Sequence, residues 1–437
     1  MVLLAHSPRA DDYFVDPRDE HYFHFFLCSM PFILPYTNLF PKIVPDVFAR
    51  SVPNKTLRQS LLSISSMVAD YRQRKSMERF HFLYISALHK IQEAISTLSV
   101  DEGTAIAVFL VLWIDVVRAE LRSSRKHLRG LYLLLQELQK KFRTPDSKPG
   151  MLVSQYGCVG VSPLIMQIWR IAIRLDFTTS LYLVDPPVFP LIPTEEQELH
   201  RQWILLSTPN IEAAEWALAS FAQDNLIHRA CHLAAQARAV RNSPRYTPAM
   251  EYAIQVQVEK LHQENKDWYN RPIVQRANAV ERAAQSDCST NDTLVDEEAW
   301  QFLDYPPLRI VNHFYANLLN HSLATSIYIS LIANPEIGPG PSRERHADAV
   351  RICRILAGLG EDTPHTASSK IWIIFLAGAA FGGWRSKEEA DWLIWRMEKI
   401  VKVFPLMKNA LQIYSGMWQL EGDFWEEMDK LQAKLYH

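Results

Sequence analysis

Almost nowhere in these 437 residues do apolar side chains alternate every second position; they recur every third or fourth. In "RFHFLYISALHKIQEAISTL", Tyr84, Leu88, Ile91 and Ile95 step by 4, 3 and 4, which marks one face of a helix. A strand would need a period of two, so this spacing argues against extended sheet. The run "AIAVFLVLWI", Ala105 to Ile114, is apolar on every side, and such a helix belongs inside a large protein. Glycine is scarce, at 14 residues, and no fixed-period repeat is present. The expected fold is all-α, a large multi-helix bundle of a dozen or more helices.

Start and stop signals divide the chain. Asp101 stands where it can cap the helix that carries the apolar run. Ser162 and Pro163 form a cap and first-turn pair opening "LIMQIWRIAIRLDFTTSLYL", which Asp185-Pro186-Pro187 stops. Thr194 and Gln197 have capping-box spacing. Long helices are predicted from Asn210 to Arg241 and from Pro248 to about Asp267. A polar connection follows near 270–298, then helix through Leu308–Ile332, a loop near 334–345, and helices to the end. Residues 1–15 read as a flexible tail and 16–437 as one helical domain.

The stretch "SSRKHLRGLYLLLQELQKKF" invites comparison with a basic arm leading into a zipper. Leu128, Leu131, Leu135, Leu138 and Phe142 form an apolar seam with Arg125, Lys126, Arg129 and Lys140 largely off it. The seam lasts two heptads, whereas a zipper needs roughly three to four, so one amphipathic helix with a solvated basic face explains it better. His127 has no nucleophile or ligand partner close in sequence.

Composition narrows the class. Hydrophobic residues make up 48% of the chain and aromatics 11%, enough for a substantial core. Lys and Arg total 46 against 48 Asp and Glu, a net charge of −2, without the basic excess that phosphate binding usually brings. Five scattered cysteines read as reduced thiols rather than a disulfide framework or a local zinc knuckle. The apolar runs Ala105 to Ile114 and Ile371 to Trp384 fall short of the ~20 residues of a membrane span, so no membrane association is expected. "MVLLAHSPRADDYF" is too weakly apolar for a secretory signal, and the chain reads as soluble and intracellular.

Three groups of residues could carry chemistry. Asp11, Asp12 and Asp16 in "DDYFVD" match the aspartate-rich motif of all-α terpene cyclases, whose carboxylates bind magnesium and so a diphosphate. They precede any credible core helix, and Val295 in "NDTLVDEE" breaks the second metal motif such an enzyme needs, so a solvated acidic tail is the simpler reading. His228, Cys231 and His232 in "HRACH" share a helix face and are sound zinc-ligand types, but a helix face with a buried cysteine accounts for the same letters. His21 and His24 sit among aromatics, which suggests packing. No GxSxG, GxGxxG, P-loop or HExxH sequence occurs. No catalytic, cofactor-binding or metal residue is therefore assigned, and no cofactor is expected.

Taken in order, several segments resemble the fungal-specific transcription factor domain, the helical regulatory region that follows binuclear zinc-cluster DNA-binding modules. "WIDVVRAELRSSRKHLRGLYLLLQEL" is similar to that family's apolar helix, polar turn and His-Leu-x-Gly helix start, here Trp113, His127, Leu128 and Gly130. "DPRDEHYFHFFLCSMPFIL" looks like its opening helix, and "NKTLRQSLLSISSMVADY" like its serine- and alanine-rich buried helix. "HFLYISALHKIQEAI" is similar to the next helix. "IWRIAIRLDFTTSLYLVDPP" resembles the segment in which an Asp, here Asp176, precedes a Pro-Pro exit. "IWIIFLAGAAFGG" and "EEADWLIWRMEKIVKVF" resemble its closing helices, and the likeness runs from about Asp16 to the C-terminus.

The resemblance implies a nuclear, non-enzymatic transcription regulator. Its relatives control gene sets frequently devoted to metabolite biosynthesis and are often dimeric. Homodimerisation, or pairing with a DNA-binding relative, and a small-molecule effector follow from the same likeness. The family's DNA reader uses six clustered cysteines, and the first here is Cys28, so direct sequence-specific DNA binding is doubtful. The chain is then either a shortened form of a zinc-cluster protein or a regulator without its own DNA reader, and a non-transcriptional interaction scaffold is the third reading beside the regulator and the cyclase-like enzyme.

Overall fold

A computed structural model describes residues 17–30, 42–97, 100–118, 120–142, 153–154, 157–158, 162–183, 185–208, 211–275, 313–337, 343–357, 364–381, 387–403 and 422–436. They are overwhelmingly helical. Strand is confined, among them, to two antiparallel pairs of two-residue strands: β1 (Val153–Ser154) with β2 (Gly157–Cys158), and β3 (Glu336–Ile337) with β4 (Gly422–Asp423). The all-α expectation holds. The chain forms two compact units, Met1–Ala172 with Leu205–Thr208, and Ile173–Ile204 with Pro209–His437.

The first unit contains α1 (Pro17–Ser29), α2 (Ile43–Ser51), α3 (Lys55–Arg72), α4 (Glu78–Ser96), α5 (Glu102–Val117) and α6 (Leu121–Phe142). Its centre is α5, buried on every side from Gly103 to Asp115, with α2, α3, α4 and α6 packed around it. On α6 the predicted seam is inside: Leu128, Leu131, Leu135 and Leu138 are at most 2% exposed, each worth about 1.5–3 kcal/mol of burial. Lys126, Arg129 and Lys140 face solvent, as a solvated basic face should. Serines are buried throughout α3, and most return their hydroxyls to carbonyls of their own helix, Ser65 to Leu61 (2.8 Å) and Ser66 to Ser63 (2.9 Å). Such small, self-satisfied side chains let α4 approach closely.

The expected face of α4 is rotated by about one position. The residues inside are Phe80, Leu83, Ala87, Ile91 and Ala94, while Ile95 is 43% exposed and Tyr84 and Leu88 are half-buried. The period is right. The two alanines were too small to mark the face, yet they are buried on the helix that packs against the serine-rich α3.

The second unit holds most of α7 (Pro163–Leu183) and α8 (Thr194–Ser207), then α9 (Ile211–Arg241), α10 (Pro248–Tyr269) and α11 (His313–Ala333). It continues through α12 (Arg343–Ala357), α13 (Pro364–Ala380), α14 (Lys387–Val403) and α15 (Phe424–Tyr436). Its interior is built on α11, which packs on α9, α10, α12 and α13, and on α13, buried from Trp372 onward. No described helix is long and apolar enough to cross a membrane. Ser162 accepts from the Ile165 amide (3.4 Å), as its sequence suggests. The Thr194–Gln197 box does not form. The helix already includes Thr194, and Gln197 Nε2 reaches back to the Ile192 carbonyl (2.8 Å) instead.

Asp101 caps α5 as expected, accepting from the amide (2.8 Å) and the hydroxyl (2.9 Å) of Thr104. It also receives a bond from Asn54 Nδ2 (3.0 Å), and Asn54 in turn caps α3 by accepting from the Leu57 amide (2.9 Å). Two helix starts are thus tied by one side-chain bond. Gly103 makes room for it: a Cβ there would lie 2.3 Å from Asn54 Nδ2 and 3.3 Å from Asp101 Oδ1. Asp101→Ala is expected to cost about 1–2 kcal/mol. Gly103→Ala should also destabilise, although alanine is the better helix former. A double-mutant cycle by urea unfolding should show the two losses to be less than additive, because both disrupt the same joint.

Candidate functional site

In the first unit, three helices converge on Asp115, which is 1% exposed near the C-terminal end of α5. A carboxylate is disfavoured there by the helix dipole, so it needs donors. Tyr84 of α4 donates its hydroxyl to one oxygen (2.7 Å), and His127 of α6 donates Nδ1–H to the other (2.9 Å). Burial, and then the negative charge of Asp115, push the Tyr84 hydroxyl far above its usual range, so it stays a proton donor. The helix expected to begin at His127 begins earlier, at Leu121, so the His-Leu-x-Gly residues lie inside α6, and His127 finds its partner 12 positions upstream.

In the second unit, Asp176 of α7 is fully buried. Its two oxygens accept the amides of Val188 (2.9 Å) and Phe189 (2.7 Å), the first two N–H groups after Pro186-Pro187. The prolines turn the chain, and the carboxylate fastens it back against α7. His228 Nε2 of α9 lies 3.5 Å from Asp176, too far for a good hydrogen bond. His232 donates to the Phe189 carbonyl (2.9 Å), and Cys231 Sγ is 3.9 Å from the Phe177 carbonyl. The three side chains of the "HRACH" face thus meet α7 and the segment that leaves it. Burial raises the Cys231 thiol far above its normal range, which makes a poor nucleophile. Burial, and then the charge of His228, lower His232.

A second polar group joins α9, α10 and α11. Gln223 Nε2 donates to Thr325 Oγ1 (2.6 Å), Asn265 Nδ2 donates to the Ser322 carbonyl (3.2 Å), and Ser322 returns a bond to Asn265 Oδ1 (3.2 Å). Close by, Arg174 donates to His321 Nε2 (2.6 Å), and the His321 ring stands edge-on to Trp372 at 4.9 Å. No motif foretold these residues. The available signal was amides placed within apolar helical faces.

The remaining sequence candidates are not drawn together. Asp11, Asp12 and Asp16, and the segment Asn291 to Glu298, lie outside the described residues. His21 and His24 are exposed on α1, His24 within 3.7 Å of Cys28 one turn on. Among the described residues, no group of three or more His, Cys, Asp or Glu is placed to hold a metal ion.

The chain belongs to the family of the fungal-specific transcription factor domain, whose model matches residues 20–429, nearly its whole length. Comparisons with curated proteins and with solved structures each found no match.

Asp176→Ala strands one buried and one part-buried amide, and the expected loss is roughly 3 kcal/mol by urea unfolding, with Asp176→Asn in between. Acid acts through histidines. His232 and His321 are held below the usual value, His321 by burial and then by the Arg174 charge. The unfolded chain therefore binds more protons than the folded one once pH drops below about 6.5, so stability is present above that pH and falls on acidification. Asp348, pushed up by burial to about 6, opposes this over about pH 4 to 6. The unfolding midpoint should decline from pH 7.5 to 6, and His321→Gln should flatten the decline.

Proposed function

We propose that this chain is a non-catalytic regulator that controls a set of fungal genes for metabolite biosynthesis and acts in the nucleus. It works as a homodimer or with a DNA-binding relative, and a small-molecule effector is a further input. The observation that carries the reading is the family match over 20–429 together with the all-helical fold.

The mode of action follows from charge and thiols. These 437 residues hold five cysteines, one fewer than a binuclear zinc cluster requires, and a net charge of −2. Cys231 and Cys353 are buried and Cys28 is exposed on α1. On this reading the helical domain supplies regulation, and sequence-specific DNA contact comes from outside these 437 residues. The buried carboxylates Asp115 and Asp176 are occupied by Tyr84 and His127 and by backbone amides, which favours bracing over turnover.

The test is deletion of the gene with transcript profiling. A coordinated fall in one set of biosynthetic transcripts is expected, restored by a copy carrying Asp11→Ala and Asp12→Ala. An unchanged profile, or failure of that copy to restore it, would overturn the reading.

A further inference from the structure

The first unit carries a surface feature unrelated to either buried cluster. Helix α3 ends in "YRQRK", Tyr71 to Lys75, and Arg72 to Ser76 are all exposed. The end is closed by backbone bonds from Gln73 to Ala69 (3.0 Å), Arg74 to Tyr71 (3.1 Å) and Lys75 to Asp70 (2.9 Å). This closure requires a left-handed residue, normally glycine. Here it is Arg74, with φ of 53°, the one non-glycine residue of positive φ among those described. A side chain retained where it strains the backbone points to a use for it.

The surroundings indicate what that use is. Neither Arg74 nor Lys75 forms an ion pair within the described residues. Arg72 lies over the Phe25 ring (5.9 Å). Arg79, bound to Asp19 (2.6 Å), lies over Phe82 (5.4 Å). Phe82 is 61% exposed and Ile85, one turn on, 55% exposed, so α4 continues the basic corner as an apolar strip.

We infer that the α3–α4 corner docks an acidic amphipathic segment of a partner protein, its carboxylates on Arg72, Arg74 and Lys75 and its apolar side chains on Phe82 and Ile85. Charge complementarity selects an acidic partner. The aliphatic Ile85, the neutralisation of Arg79 by Asp19 and the net charge of −2 favour a peptide over a nucleic acid, which would call for a broader basic field.

The test uses the full chain and fluorescence anisotropy, with a labelled synthetic helical peptide of Glu, Leu and Phe and, separately, a labelled DNA duplex. Saturable peptide binding that weakens as salt rises is expected. Arg74→Gly and Phe82→Ser should each weaken it roughly tenfold. Arg74→Gly should fold at least as stably as the parent, because it relieves the left-handed position, and Phe82 is exposed, so lost binding cannot be ascribed to misfolding. No saturable peptide binding, binding that either variant leaves unchanged, or tighter binding of the duplex than of the peptide would overturn the inference.

Discussion

A helix with no polar face must be covered on all sides, and each unit is organised around that requirement. In the first, α5 is buried from Gly103 to Asp115, and α2, α3, α4 and α6 provide the cover. In the second, α13 is buried from Trp372 onward beside α11. The neighbours offer apolar seams such as Leu128, Leu131, Leu135 and Leu138, or small buried residues such as Ala87 and Ala94 on α4 and the serines of α3.

Complete enclosure makes any polar group inside expensive unless it is paired. Asp115 and Asp176 meet that condition in different ways. Asp115 takes side-chain donors from two helices, and Asp176 takes two backbone amides from the segment that leaves its own helix. Each bond to a carboxylate contributes about 1.5–3 kcal/mol, enough to offset much of the desolvation and to fix where the neighbouring element sits.

Helices were legible wherever a local signal existed. Asp101, Ser162 and the Asn210–Arg241 and Pro248–Asp267 boundaries were written in caps, prolines and periodicity. The face of α4 was displaced because alanine carries little hydrophobic signal while Tyr84 and Ile95 carry much. The Tyr84–Asp115–His127 cluster was illegible because its members are 31 and 12 positions apart and meet only through tertiary packing. "HRACH" shows the same limit in reverse. Its letters suit zinc, but its partners, Asp176, Phe177 and Phe189, lie on another helix and the segment beyond it, and no spacing rule reveals them.

Hydrogen exchange of the native protein tests the enclosed-helix claim most directly, since slow exchange requires both a stable hydrogen bond and cover on every side. The account predicts the slowest amides in Thr104–Val117 and Ile373–Ala380, well behind those of the half-exposed α10. Exchange in those two segments as fast as in α10 would contradict it.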